Sequence, residues 1–225
     1  MLDQNKSDTT DIAEVMEFTQ MESARQGFVS ALRKHVMVDL AGEMRQDYET
    51  NVKPTYTKNN GEEPGTPRDV KKAMKPRTRY RMWSSLRYNA QEMVWASVQN
   101  GVERALPEMI HLAKDAAETN PAGGSLRLDP DLKIPRYVSA LDVHLMPGCF
   151  HTEHTKDDVA QGAVQVIGGE VFRGSFRHRK GNPGAVGDSI AHYLKLKHPD
   201  FDPKRILDLG CNTGKNLFPY LDVYP

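Results

Sequence analysis

The sequence has little of what secreted, membrane-spanning or strongly nucleic-acid-binding proteins need. Its 225 residues include two cysteines, Cys149 and Cys211, which lie far apart and indicate no disulfide framework. Acidic and basic residues balance at 30 each, so no overall field attracts nucleic acid or an anionic membrane. No run approaches the roughly 20 apolar residues of a membrane span, and the polar start lacks a secretory signal. We therefore expect a cytoplasmic protein without membrane association.

The first part of the chain favours helices. We expect a disordered tail over residues 1–11 and a mainly helical region over residues 12–185, with a turn-rich linker at about 52–67. Before the linker, apolar residues recur every four positions, as in an amphipathic helix with one buried stripe. This stripe consists of Phe28, Leu32, Val36, Leu40 and Met44.

Three further helices are predicted after the linker. The first runs from about Arg81 to Ala117, with a kink or break at Pro107, which removes a backbone donor. The others cover Asp157–Phe172 and Val186–Lys197, separated by a basic, glycine-rich loop over 177–184.

A strand and a glycine loop are predicted close to Pro225. Residues 205–210 read Arg-Ile-Leu-Asp-Leu-Gly, an apolar run typical of a buried parallel strand. The loop Gly210-Cys-Asn-Thr-Gly214 follows, and the next residues can open a helix. In open α/β sheets ligands bind at the carboxyl ends of strands, where glycine lets backbone amides approach them. This order predicts a cofactor site in the loop.

Two common phosphate-binding loops fit this segment poorly. A dinucleotide fingerprint has glycine two residues after its first glycine, where this chain has Asn212. A P-loop has four residues between its glycines and then Lys-Ser or Lys-Thr, whereas three residues separate Gly210 from Gly214 here, and Lys215-Asn216 follow.

Residues 206–214 resemble motif I of the class I S-adenosylmethionine-dependent methyltransferases. That motif has an apolar pair, an acidic residue and then x-G-x-G-x-G, and the match covers about the last 40 residues. The resemblance implies an α/β Rossmann-like fold beginning in residues 186–225, with S-adenosylmethionine as cofactor. Asn212 replaces the usual middle glycine, but asparagine tolerates left-handed backbone geometry well.

The resemblance also implies a role for each loop residue. Gly210 and Gly214 would let the backbone pass beneath the methionine half of the cofactor, and Asp208 would lie near its amino group. The backbone of three further residues would line the loop: Cys211, Asn212 and Thr213.

The expected activity is methyl transfer to a small molecule, with residues 12–185 shaping the acceptor pocket. The sequence identifies no catalytic base. In the resembled family six more strands follow the first one, so we expect residues 1–225 alone to be inactive and to exchange amide hydrogens rapidly from Arg205 onward. A helical binding or regulatory module with an incomplete motif is the alternative.

Histidine, cysteine and glutamate gather between 144 and 154. Imidazole, thiolate and carboxylate all bind zinc, but no C-x-x-C pair accompanies them and their spacing is irregular. We therefore expect no structural zinc, and assign three of these residues as candidates on the substrate side: His151, Glu153 and His154.

A basic stretch over residues 68–87 carries eight lysines and arginines interleaved with aromatic residues. Such a pattern can neutralise phosphates and stack on bases, which keeps an RNA methyltransferase open as an alternative. A solvated helix start with its aromatic side chains turned inward explains the same pattern. On this second interpretation the core contains Trp83, Tyr88 and Trp95.

Overall fold

The chain divides into two compact units, Met1–Ser175 and Phe176–Pro225. The computed structural model describes residues 15–119, 124–140, 144–149, 152–174, 186–214 and 216–224. The predicted tail over 1–11 and the basic loop over 177–184 lie outside these residues. Within the described ranges every regular element is helical, and none of the described helices is both long and apolar enough to cross a membrane.

The described part of the first unit contains a continuous helical run over residues 20–60. It consists of α1 (Gln20–Lys34), π1 (His35–Leu40), α2 (Ala41–Asp47), π2 (Tyr48–Val52) and α3 (Lys53–Asn60). The run ends at Gly61, whose φ of 79° is the left-handed geometry of a helix C-terminus. The predicted linker therefore starts nine residues later than 52. Pro54 lies two residues after the end of π2, where the register of the backbone hydrogen bonds changes. The missing N–H of proline disrupts those bonds least at this place.

The remaining helices of this unit are α4 (Pro67–Met74), α5 (Thr78–Thr119), α6 (Arg136–Ser139) and α7 (Ala160–Phe172). Two predicted helices are thus confirmed, with bounds within three residues of those expected from the sequence. The helix α5 continues through Pro107, so a break there is wrong, and the alternative of a kink stays a prediction.

Capping boxes define where α1 and α4 begin. Glu22 N–H donates to Thr19 Oγ1, and the Thr19 N–H donates in return to the Glu22 carboxylate at 2.8 Å. Thr66 and Asp69 repeat the arrangement at α4. Each box satisfies amide groups that a helix N-terminus otherwise leaves unpaired.

The buried side of the run 20–60 differs from the predicted stripe. Phe28 is 59 % exposed, whereas the buried apolar positions are Val29, Val36, Met44 and Val52. They lie seven or eight residues apart, and eight residues of α-helix turn about 80° past two full turns. The wider turns of π1 and π2 take up that excess. The predicted stripe is thus confirmed at Val36 and Met44 and wrong at Phe28, where the buried position is Val29 instead.

The main core forms where α1, α5 and α7 meet. It includes Val29 from α1, Val94, Trp95 and Val98 from α5, and Ile167 from α7. Close packing at this crossing depends on a missing side chain, because a Cβ on Gly168 would lie 2.5 Å from the Trp95 ring. Trp95 is 3 % exposed, which confirms its predicted place in the core.

A smaller cluster joins α2, π2, α4 and the start of α5. Met44, Val52 and Met74 are buried there, and Trp83 packs against them. The indole Nε1 of Trp83 donates to the carbonyl oxygen of Val36 at 3.0 Å. Tyr88 is 57 % exposed, so its predicted place in the core is wrong.

The second unit contains α8 (Val186–Lys197) and α9 (Phe218–Val223), joined by an irregular segment. The bounds of α8 match those predicted. Inside the unit, the Tyr224 ring contacts the Phe201 ring edge-on with centroids 6.0 Å apart.

The predicted strand over 205–210 is absent, and the α/β Rossmann-like fold class is wrong for the described residues. Residues 205–208 have no regular secondary structure and residues 209–210 form a turn, and no strand among the described residues pairs with them. Ile206, Leu207 and Leu209 are 45 %, 83 % and 84 % exposed. An apolar run becomes a strand only when neighbouring strands satisfy its backbone groups and cover its faces. The described part of the chain supplies neither.

Candidate functional site

The glycine turn over residues 208–214 has an alternating backbone geometry. Gly210, Asn212 and Gly214 adopt φ values of 77°, 53° and 75°, all in the left-handed region. Glycine enters this region freely, and asparagine does so more readily than most residues. The position expected to carry a third glycine therefore has the conformation that glycine would supply.

Hydrogen bonds close this turn at its far end. The Gly214 N–H donates to the Cys211 carbonyl oxygen at 2.9 Å, and the Leu217 N–H donates to the Gly214 carbonyl oxygen at 2.8 Å. Together they lead the chain from the turn toward α9. Hydrogen bonds between backbone groups of this segment therefore hold the turn in its shape.

The surface above the turn is open. A Cβ on Gly210 would meet no atom within 4 Å, and Asp208, Cys211 and Asn212 are exposed. Backbone at Gly210 can therefore be approached closely by a ligand. The five residues from Gly210 to Gly214 that were predicted to bind the cofactor all lie in this turn.

A close backbone contact holds α8 to the chain after the turn. A Cβ on Gly187 would lie 2.1 Å from the carbonyl oxygen of Asn216, so only glycine fits there. The Gly187 N–H also points at Asn216 Oδ1, 3.5 Å away. Before the turn, Lys204 pairs with Asp202 and lowers the pKa of that carboxyl.

The predicted substrate-side residues belong to the first unit, and the glycine turn belongs to the second. His151 is outside the described residues, and the Glu153 side chain is exposed. His154 lines a cavity of about 300 Å³ in the first unit. Its backbone N–H donates to Asp158, whose pKa is lowered by bonds from backbone amides despite the opposing effect of burial.

No three histidine, cysteine, aspartate or glutamate side chains converge as metal ligands would among the described residues. Cys149 is a free, buried thiol and Cys211 a free, exposed one. The zinc prediction stays a prediction, because His151 belongs to the cluster in question.

The basic stretch over 68–87 is partly neutralised by acids of the first helical run. Arg77 donates to both carboxylate oxygens of Asp47, at 2.7 and 2.9 Å, and Arg79 pairs with Glu43 at 3.3 Å. These residues line an open cleft of about 1000 Å³. Arginines held in this way join two helices and offer less charge to a phosphate backbone.

Neither a protein-family profile nor a curated protein nor a solved structure matches the chain. The candidate sites therefore stand on their own residues.

Two arrangements in the first unit are not among those predicted from the sequence. One is the pairing of Arg104 with the buried Glu22, at 2.9 Å to each carboxylate oxygen. The other is the 300 Å³ cavity. Its signal in the sequence is the helical spacing of Trp95, Gln99, Val102 and Leu106, which puts them on one side of α5.

Proposed function

We propose that this chain contributes the methionine-binding turn of an S-adenosylmethionine-dependent methyltransferase. The observation that supports the proposal is the left-handed geometry at Gly210, Asn212 and Gly214, in the sequence that resembles motif I. The backbone of this turn would approach the methionine half of the cofactor, and Asp208 would accept a hydrogen bond from its amino group. The proposal rests on the turn and requires no sheet within the described residues.

The cofactor would supply a methyl group on a positively charged sulfur. The methyl carbon forms a bond to an acceptor nucleophile while its bond to sulfur breaks, and the sulfur keeps the electron pair as a neutral thioether. A neutral acceptor also releases a proton. In this proposal the acceptor is a small molecule, and the enzyme works in the cytoplasm, where an exposed thiol such as Cys211 stays reduced.

The test measures S-adenosylmethionine binding by calorimetry, using protein expressed from the natural reading frame that encodes residues 1–225. Gly210→Val should weaken binding at least about tenfold, because a β-branched side chain fills the approach and disfavours positive φ. Gly61→Val is the matched control, since Gly61 has a φ of 79° and equally open surroundings in the other unit. It should leave the affinity unchanged.

A second pair of variants tests Asn212 itself. Asn212→Gly should retain binding because glycine keeps the left-handed geometry, and Asn212→Val should lose it. The proposal is wrong if the unaltered protein does not bind S-adenosylmethionine, or if Gly210→Val and Asn212→Val both bind as it does.

A further inference from the structure

We propose that the 300 Å³ cavity of the first unit binds a small organic amine with an apolar body. The cavity lies between α5, α7 and the segment around Pro147 and Gly148. Its size matches the lower end of small-molecule sites, which combine apolar walls with a few placed polar groups. The inference concerns the first unit alone and does not depend on the proposed methyl transfer.

The walls of the cavity are apolar. Trp95, Val102 and Leu106 of α5 face it together with Val164 of α7. An aromatic or branched aliphatic body gains free energy by leaving water for such walls, and an indole also attracts cations through its ring. These walls therefore favour a ligand whose body is aromatic or branched aliphatic.

The polar side chains that line the cavity include two acceptors, on Gln161 and Glu103. The Gln161 Oε1 atom is buried and accepts no hydrogen bond from any residue that the structure describes. The Glu103 carboxylate is held at the wall by a hydrogen bond of 2.8 Å that Gln99 Nε2 donates to its Oε1 atom. A buried acceptor without a donor is costly, and a ligand N–H removes that cost.

The charge of the lining favours a cation. Glu103 is the acidic residue at the cavity, and neither lysine nor arginine is among the described residues that line it. His154 is the one lining residue there that can carry a positive charge. An ammonium group offers three donors and a charge opposite to that of Glu103. A carboxylate ligand would face the Glu103 carboxylate and Gln161 Oε1, with His154 as the one described lining side chain able to oppose its charge.

Backbone strain borders the same cavity. Leu145, Cys149 and Asp157 have φ values of 56°, 51° and 61°. In the sequence, Leu145 precedes and Asp157 follows the described lining residues from Pro147 to His154, and Cys149 comes directly after Gly148. Left-handed geometry at residues other than glycine costs free energy and is concentrated where a ligand or a mechanism needs it. This strain agrees with a wall shaped for binding.

The experiment compares three probes of similar shape: 2-phenylethylamine, 2-phenylethanol and 3-phenylpropionate. Binding is followed by calorimetry and by the fluorescence of Trp95 in a Trp83→Phe background, because the chain has two tryptophans. We expect the amine to bind with a dissociation constant below about 1 mM, within the limit for a ligand of this size. The alcohol should bind roughly tenfold more weakly and the carboxylate not measurably.

Two variants locate the amine. Glu103→Gln keeps the shape of the side chain and should weaken amine binding roughly fivefold to tenfold, with little effect on the alcohol. Gln161→Leu removes the buried acceptor and should weaken amine binding as well. Glu108→Gln is the matched control, because Glu108 is an exposed glutamate of α5 outside the cavity lining, and it should change nothing.

The proposal is overturned if no probe binds, if the alcohol or the carboxylate binds as well as the amine, or if Glu103→Gln and Glu108→Gln behave alike. Thermal unfolding of each variant establishes that it is folded before its affinity is compared.

Discussion

The contact between Gly168 and Trp95 permits a quantitative test of the helix crossing. Changing Gly168 to alanine adds one methyl group, which would lie 2.5 Å from an indole carbon. Trp95 is 3 % exposed and its Nε1 donates to the His144 carbonyl oxygen at 2.8 Å. The ring therefore cannot move aside without losing buried contacts or this hydrogen bond.

Two effects of opposite sign decide the magnitude. Alanine favours a helix over glycine by about 0.5–1 kcal/mol, and forcing a methyl group into a filled core costs about 1–3 kcal/mol. The second effect is larger, so Gly168→Ala should lower the free energy of unfolding by about 0.5–2 kcal/mol. Gly162→Ala lies in the same helix with no atom within 4 Å of the new Cβ, and it should raise that free energy by about 0.5–1 kcal/mol.

Urea unfolding followed by far-ultraviolet circular dichroism measures both variants against the unaltered protein. Gly168→Leu should be more destabilised than Gly168→Ala, because a longer side chain meets the same ring. If Gly168→Ala proved as stable as Gly162→Ala, the close approach of α7 to Trp95 would be refuted.

Three further predictions concern pH, capping and local stability. Hydrogen bonds from Arg104 and Thr19 lower the pKa of Glu22 from 4.5 to about 2, so the stabilisation is complete above about pH 4.5 and is lost as the pH falls toward 2. Urea unfolding at several pH values should show that loss, and Glu22→Gln should remove it. Thr66→Ala should cost about 1 kcal/mol in the same unfolding measurement, because it removes a helix cap, and an unchanged stability would contradict the capping geometry. Hydrogen exchange should be slow over 94–109 and fast over 205–210, and equal protection of the two segments would contradict the burial pattern.

Regular helices were predictable from the sequence where one face is apolar over several turns. The helix α8 has the predicted bounds, and α5 differs from its prediction by two or three residues at each end. Pro107 misled because the packing of α5 against its neighbours outweighs the loss of one hydrogen bond. Phe28 misled because a spacing of four was continued back into α1, where α-helical geometry makes Val29, seven residues before Val36, the buried position.

The error at 205–210 has a different origin. Local sequence determines that Ile206, Leu207 and Leu209 suit a buried strand, but strand formation depends on partners elsewhere in the fold. The turn after them is determined locally, so the tolerance of Asn212 for left-handed geometry was a sound prediction. The activity inferred from that turn stays a prediction.

The cavity of the first unit could not have been predicted from local patterns. It combines residues of α5 with Pro147, Gly148 and Gln161, which lie about 50 residues further along the chain. Spacing along α5 identifies Trp95 and Val102 as neighbours, yet nothing local distinguishes a cavity from filled core. Tertiary packing decides which polar atoms are removed from contact with water.

The π-helical segments π1 and π2 have a consequence for how the length of this chain can change. A one-residue deletion inside an α-helix turns everything beyond it by about 100° and exposes its buried side. Each π-helical segment already holds more residues per turn than an α-helix, so losing one residue there converts it toward α-helical geometry. A one-residue deletion within His35–Leu40 or Tyr48–Val52 should therefore leave the buried packing contacts of Val29 and Met74 in place. Natural relatives of this chain should vary in length at these segments and not within Gln20–Lys34.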